Sequence, residues 1–226
     1  MPPGVEFDAL PPIDLVLVSH NHYDHLDAPT VQRLSATHPD ALWLCPLRLG
    51  HFLRSLGAKR VTECDWWHTV ETPGFSSMCT PARHYSARSI RDRGNSLWSG
   101  WTVCADDVRV FFAGDSALHP EFGAIARAAG PFDLVMLPIG AYEPRWFMRD
   151  VHMNPEDAIA AYLELSRGQA NATHCLAIHW GTFRMTDEPV DEPPRRFAEL
   201  WSAAGLSQDT NWTLAHGETR QLTLSV

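Results

Sequence analysis

Lysine is almost absent from this 226-residue chain: Lys59 is the only one, and arginine supplies the rest of its 18 basic residues. Codon bias accounts for most of that imbalance, although arginine's planar fork also suits bidentate phosphate binding. Positive charge as a whole is short. With 27 acidic residues and a formal net charge of −9, a nucleic-acid-binding surface is excluded as the default reading. No Cys-x-x-Cys pair occurs among Cys45, Cys64, Cys79, Cys104 and Cys175. Scattered and odd in number, they suggest neither a disulfide framework nor a thiolate metal knuckle, and reduced, mostly buried thiols in a cytosol are expected. No run approaches the ~18 apolar residues that would span a bilayer. The opening Met1-Pro2-Pro3-Gly4-Val5-Glu6 has neither the basic nor the apolar stretch of a secretion signal. The Asn-x-Thr sequons at Asn171 and Asn211 therefore read as chance. Repeats and low-complexity tracts are also missing. The expectation is one globular cytoplasmic domain over residues 1–226, with membrane contact peripheral at most.

Strand-like and helix-like segments alternate along the chain. Ile13–Val18 reads as a strand, apolar on both faces as in the middle of a packed sheet. Val61–Glu63, Phe75–Thr80, Leu97–Cys104, Val108–Phe112, Leu134–Ile139 and Leu176–His179 read as further strands, and Trp212–Leu224 as a closing hairpin. Helices are expected over Thr30–Thr37, Leu47–Leu56, Pro120–Ala129, Pro155–Arg167 and Pro194–Ala204. The Pro155 helix is the best marked: Asn154 caps it, proline opens it and Gly168 stops it. Alternation of this kind implies a layered α/β architecture.

The segment that carries chemistry is Ser19-His20-Asn21-His22-Tyr23-Asp24-His25, directly after the first strand. Three imidazoles and a carboxylate within six residues are costly unless they bind something. Neutral imidazole and carboxylate are the usual protein ligands of zinc. A loop leaving a strand can turn alternate side chains toward different points, so one segment can serve two metals. A solvated histidine-rich turn is the plain alternative.

This pattern, HxHxDH, resembles the signature of the metallo-β-lactamase superfamily. More closely, the chain is similar to the N-acylphosphatidylethanolamine-hydrolysing phospholipase D group and its bacterial relatives. The similarity runs through Pro81-Ala82-Arg83-His84-Tyr85-Ser86, Asn95–Trp101, Phe112–Ser116, Tyr142-Glu143-Pro144-Arg145-Trp146-Phe147-Met148 and Ala177–Phe183. The resemblance implies an αββα sandwich and two zinc ions. It implies that His20, His22 and His84 hold the first, that Asp24, His25 and His179 hold the second, and that Asp115 bridges both. Each later ligand is weak evidence alone. His84 follows a strand in a polar loop, while Asp115 and His179 end apolar strands, where a buried carboxylate needs a cation nearby. His152, in the loop before the Asn154-capped helix, is expected near the substrate head group without binding metal. His38, His51, His68, His119, His174 and His216 receive no role.

The resemblance further implies a phosphodiesterase of phospholipase D type acting on N-acyl phosphatidylethanolamine-like lipids. A hydroxide shared by two zincs ~3.5–4 Å apart would be the nucleophile. Asp24 would orient it, and Arg83, Arg88 or Arg145 would pair a phosphate oxygen. Another small ester, lactone or cyclic phosphate is the alternative substrate, and an inactive metal-binding fragment the alternative of a different class. Only nineteen residues precede the histidine motif, so part of the N-terminal half of the sandwich is expected to be missing. An uncovered sheet would then favour self-association as a homo-oligomer.

Overall fold

The computed structural model describes residues 3–169 and 173–222. Its first half holds β1 (Leu15–Leu17), α1 (Ala28–Thr37), β2 (Leu42–Pro46), α2 (Gly50–Ser55) and β3 (Arg60–Cys64). These three strands form a parallel sheet in the order β1-β2-β3. The second half holds β4 (Thr69–Glu71), β5 (Ser76–Thr80), β6 (Gly100–Ala105), β7 (Val108–Phe112), α3 (Phe122–Ala129), β8 (Leu134–Pro138), α4 (Arg145–Met148), α5 (Pro155–Leu165), β9 (His174–Ile178), α6 (Glu192–Ala203) and β10 (Asn211–Trp212). Its seven-stranded sheet runs β10-β9-β8-β7-β6-β5-β4, parallel from β10 to β7 and antiparallel from β7 to β4. No helix among the described residues is long and apolar enough to cross a membrane.

Three separate cores make this a four-layer αββα sandwich. Val31 of α1 and Leu53 of α2 pack with Trp43, Cys45 and Val16 on the outer face of the small sheet. Its inner face places Leu44, Cys64, Leu15 and Leu17 against Cys79 and Trp101 of the large sheet. On the far face of the large sheet, Phe111, Val135, Leu137 and Cys175 meet Ile125, Ala158, Leu165, Phe197 and Trp201 of α3, α5 and α6. Alternation along β1 thus feeds two cores, as its two apolar faces require. The cysteines are free, four of them buried, as expected.

Several expectations need correction. β1 lies at the edge of its sheet, paired only with β2 among the described residues, rather than in the middle. Strand β2 is a further element beyond those expected; Leu42–Pro46 is a continuous apolar run without alternation, which periodicity does not assign to a strand. Helix α2 starts at Gly50, not Leu47; its first N–H is capped from a distance, the Gly50 amide donating to Glu63 Oε1 on β3 at 2.8 Å. Among the described residues the closing hairpin does not form. Only Asn211–Trp212 is strand, laid parallel on β9 after the α6 crossover, and residues 223–226, with Asn171, lie outside the described residues. α4 was not anticipated. Asn154 does cap α5, accepting from the Asp157 amide at 3.0 Å.

The halves meet where the histidine loop leaves β1. Trp101 Nε1 donates to the Val18 carbonyl at 2.9 Å, and the Ser99 amide donates to the Ser19 carbonyl at 2.8 Å. Gly114, at φ +61°, lies so close that a Cβ there would sit 2.8 Å from both Ser19 Cβ and the Ser99 carbonyl. Position 114 therefore needs glycine for both space and backbone sign.

Candidate metal centre

β5, β7 and β9 run in one direction, so their C-terminal ends gather at one edge of the large sheet, and the loop after β1 meets them there. From there β1 supplies the loop His20–His25, β5 supplies His84, β7 supplies Asp115 and β9 supplies His179. In open α/β sheets this is where ligands bind.

All seven side chains converge. His20, His22, His84 and Asp115 form one group and Asp24, His25, Asp115 and His179 another; the ligand atoms within each lie within 4.8 Å of one another. In the first group His22 Nδ1 is 2.8 Å from His20 Nε2 and 3.2 Å from His84 Nε2. Asp115 Oδ2 lies 3.9 Å from His20 Nε2 and 3.7 Å from His84 Nε2. In the second group the same oxygen is 3.1 Å from His25 Nε2 and 3.2 Å from His179 Nε2, and Asp24 Oδ2 is 3.3 and 3.5 Å from those nitrogens. Asp115 is the member common to both.

The other edges of the rings are held by the protein. His84 Nδ1 donates to the Val151 carbonyl at 2.9 Å, which leaves Nε2 as the free lone pair. Ser19 Oγ is 3.1 Å from His20 Nδ1. His179 sits at φ +58°. A left-handed conformation in a non-glycine residue costs on the order of 1–3 kcal/mol and is kept only when the surroundings impose it. Its carbonyl presses on Gly140, where a Cβ would fall 2.3 Å from that oxygen.

The electrostatics are those of an uncompensated ligand cluster. Burial lowers the pKa of His20, and lowers that of His84 to about 4 although Asp115 opposes it. Burial also disfavours the charged form of His25, but Asp115 and Asp24 outweigh it and raise the group to about 10. His179 is raised in the same way. Burial pushes Asp115 upward, yet His179 and His25 hold it well below the usual carboxylate range. Asp115 Oδ1, His25 Nε2 and His179 Nε2 are buried without an aligned hydrogen-bond partner. Buried polar atoms are rarely left so. Converging nitrogen and carboxylate donors, several of them buried without a partner, fit a divalent cation at each group.

His152 stands beside both groups. Its ring centroid is 4.9 Å from that of His84 and stacks 5.4 Å from that of His179. Nδ1 has no partner, and burial pushes its pKa down to about 3. The groups open into a cavity of about 590 Å³ lined by His22, Asp24, Tyr85, Arg93, Phe147, Met148, His152 and Met185, among others.

The three arginines expected to face phosphate are otherwise engaged. Arg83 pairs with Asp150 at 2.5 Å, Arg88 donates to the Asn21 and Leu26 carbonyls at 2.9 and 2.7 Å, and Arg145 ties the His152 carbonyl to Asp157. Two residues at the site went unread. Arg93 lines the cavity, and Glu188, 8% exposed, accepts from the Ala141, Tyr142 and Glu143 amides at 2.7, 3.3 and 3.0 Å. Nothing local distinguishes either from its neighbours Arg91 and Asp187.

Residues 1–180 match the family model described as beta-lactamase superfamily domain. The chain is 38% identical over 229 residues to N-acyl-phosphatidylethanolamine-hydrolyzing phospholipase D 1 of Caenorhabditis elegans, covering 96% of this chain and 63% of that one. It is 41% identical over 197 residues to an uncharacterized protein of Mycobacterium tuberculosis, covering 86% and 51%. It therefore spans between half and two thirds of the length of these relatives. Among solved structures it resembles a metallo hydrolase from Ignicoccus hospitalis, with a TM-score of 0.71 at 22% identity over 94% of this chain and 80% of that one. Fold, converging ligand groups and family match agree, and the chain belongs to the beta-lactamase superfamily.

Proposed function

We propose that this protein is a zinc-dependent phosphodiesterase of phospholipase D type acting on N-acyl phosphatidylethanolamine-like lipids. The observation that carries the reading is the pair of ligand groups sharing Asp115 at the floor of an amphipathic cavity. His20, His22 and His84 would hold one ion, Asp24, His25 and His179 the other, and Asp115 both. Two zinc ions so held supply Lewis acidity, making water nucleophilic at neutral pH and neutralising charge that develops on phosphoryl oxygens. Asp24, at the cavity wall, orients the attacking water through its carboxylate. His152, neutral because it is buried, offers a hydrogen bond to the head group. Phe147, Met148, Val151 and Met185 give the cavity an apolar side for an acyl chain. Trp146 and Phe147 of α4 and Phe183, respectively 80%, 64% and 59% exposed, favour contact with a lipid surface. The similarity to the nematode phospholipase D supports the substrate class.

Product analysis tests the reading. Zinc-loaded protein is expected to release N-acylethanolamine and phosphatidic acid in equal amounts from N-acyl phosphatidylethanolamine, with activity lost on chelation and restored by zinc. A higher kcat/KM for a lactone or carboxylic ester than for any phosphodiester would overturn it.

A further inference from the structure

Arg93, the arginine that lines the cavity over the ligand groups, differs from Arg83, Arg88 and Arg145. Arg83, Arg88 and Arg145 are bonded to a carboxylate or to backbone carbonyls, whereas the Arg93 guanidinium has no hydrogen bond or ion pair among the described residues. It lies instead over the Tyr85 ring, its central carbon 4.2 Å from the ring centroid. Tyr85 in turn packs on two of the ligand histidines, with centroids 4.7 Å from His22 and 5.0 Å from His84. The guanidinium is thus held one aromatic ring away from the ligand cluster, inside the same cavity. A contact through the aromatic face holds the guanidinium in place without using its N–H donors. Outside the ligand groups the carboxylate that lines this cavity is Asp150, and it is paired with Arg83. A planar cation with unspent donors in a substrate cavity calls for a bidentate oxyanion.

We propose that Arg93 is a specificity-determining residue that binds a second anionic group, a carboxylate or phosphate, carried by the substrate's head group beside the phosphodiester that is cleaved. The inference deepens the functional reading above and rests on it in taking this cavity as the substrate site. The diester's own charge belongs at the ligand cluster, one ring removed from Arg93, so the guanidinium reads a different part of the molecule. A lipid whose phosphodiester joins glycerol to an N-acylated amino acid has a carboxylate in that place. A lipid ending in a phosphomonoester has a phosphate there. Plain N-acyl ethanolamine has neither.

The test compares three short-chain lipids with the zinc-loaded protein: dihexanoyl N-acetyl phosphatidylserine, dihexanoyl phosphatidylglycerol phosphate and dihexanoyl N-acetyl phosphatidylethanolamine. Wild type is expected to prefer at least one of the first two, and which of them is preferred distinguishes carboxylate from phosphate. Arg93→Gln is expected to lower the preference for the anion-bearing lipid over the ethanolamine lipid about tenfold, through KM and not kcat. Arg93→Lys should restore part of it, and zinc content should be unchanged in both. If none of the three is turned over, the phospholipase reading fails. The same lipids titrated calorimetrically into zinc-loaded protein then decide the role of Arg93 by the same ratio of affinities. Equal effects of Arg93→Gln on all three lipids, or no effect on any, would overturn the proposal.

Discussion

The two halves of the sandwich are built to different scales. The small sheet has three strands and meets the large one through a thin core in which only Leu44, Cys64, Cys79 and Trp101 are buried. The large sheet has seven strands and a deep core behind it, crossed by Phe111, Leu137, Leu165, Phe197 and Trp201. The ligand groups do not divide the same way. The small half contributes one loop carrying four side chains able to hold metal, His20, His22, Asp24 and His25, and the large half contributes His84, Asp115 and His179 from three strand ends. Each group draws on both halves. The difference teaches that the seam joins a thin apolar core to polar contacts at its upper edge, Trp101 to Val18 and Ser99 to Ser19, where the ligand groups also draw on both halves. Metal binding should therefore contribute to cohesion of the halves.

Removing the residue both groups share should have the largest effect. Asp115→Asn is expected to lower metal affinity by more than about 100-fold at both positions, exceeding what loss of a supporting residue causes. Elemental analysis of the folded variant checks this. His22→Ala, which touches only the first group, should leave the second partly occupied.

Trp101→Ala attacks the seam. It deletes a fully buried side chain from a core with few neighbours to collapse inward, so about 3–5 kcal/mol should be lost in urea unfolding. Trp201→Ala, equally buried on the far side of the large sheet, should destabilise comparably. Only the Trp101 variant should also lose metal, because only it releases the Val18 carbonyl at the root of the histidine loop.

A subtler contrast separates the two ligand groups by protonation. In the metal-free protein Asp115 and Asp24 raise His25 to about 10, which keeps it cationic at neutral pH, and raise His179 as well; burial lowers His20 and His84, which are neutral there. Metal must displace protons from the second group and not from the first. Affinity at the second group should rise as pH increases toward about 10, as His25 loses its proton, and calorimetry in buffers of different ionisation enthalpy should register net proton release. No proton release on filling both groups would contradict this.

The smallest effect is expected for Glu188→Gln, which keeps the shape but not the charge of the carboxylate bridging three amides of the cavity wall. A stability loss of about 1–3 kcal/mol and a raised KM with unchanged metal content would show that the residue positions the wall.

Much of this was legible in the chain, for identifiable reasons. β-branched runs and the capped, proline-opened α5 declare themselves locally. The dense histidine motif does so as well, because clustered imidazoles have few other uses. What escaped depends on contacts distant in sequence. β2 takes its identity from its neighbours, and β10 joins β9 across a helix rather than folding back. Arg88 and Arg145 look like phosphate binders until their backbone partners are seen. Arg93 and Glu188 differ from adjacent residues of like charge only in what surrounds them.

The most direct test of the account is the metal content of freshly purified, unchelated protein, measured by elemental mass spectrometry against protein concentration. Two shared-ligand groups predict close to two divalent ions per folded chain. One ion or none, in protein shown to be folded, would contradict the claim that these seven side chains form a two-metal centre across the seam.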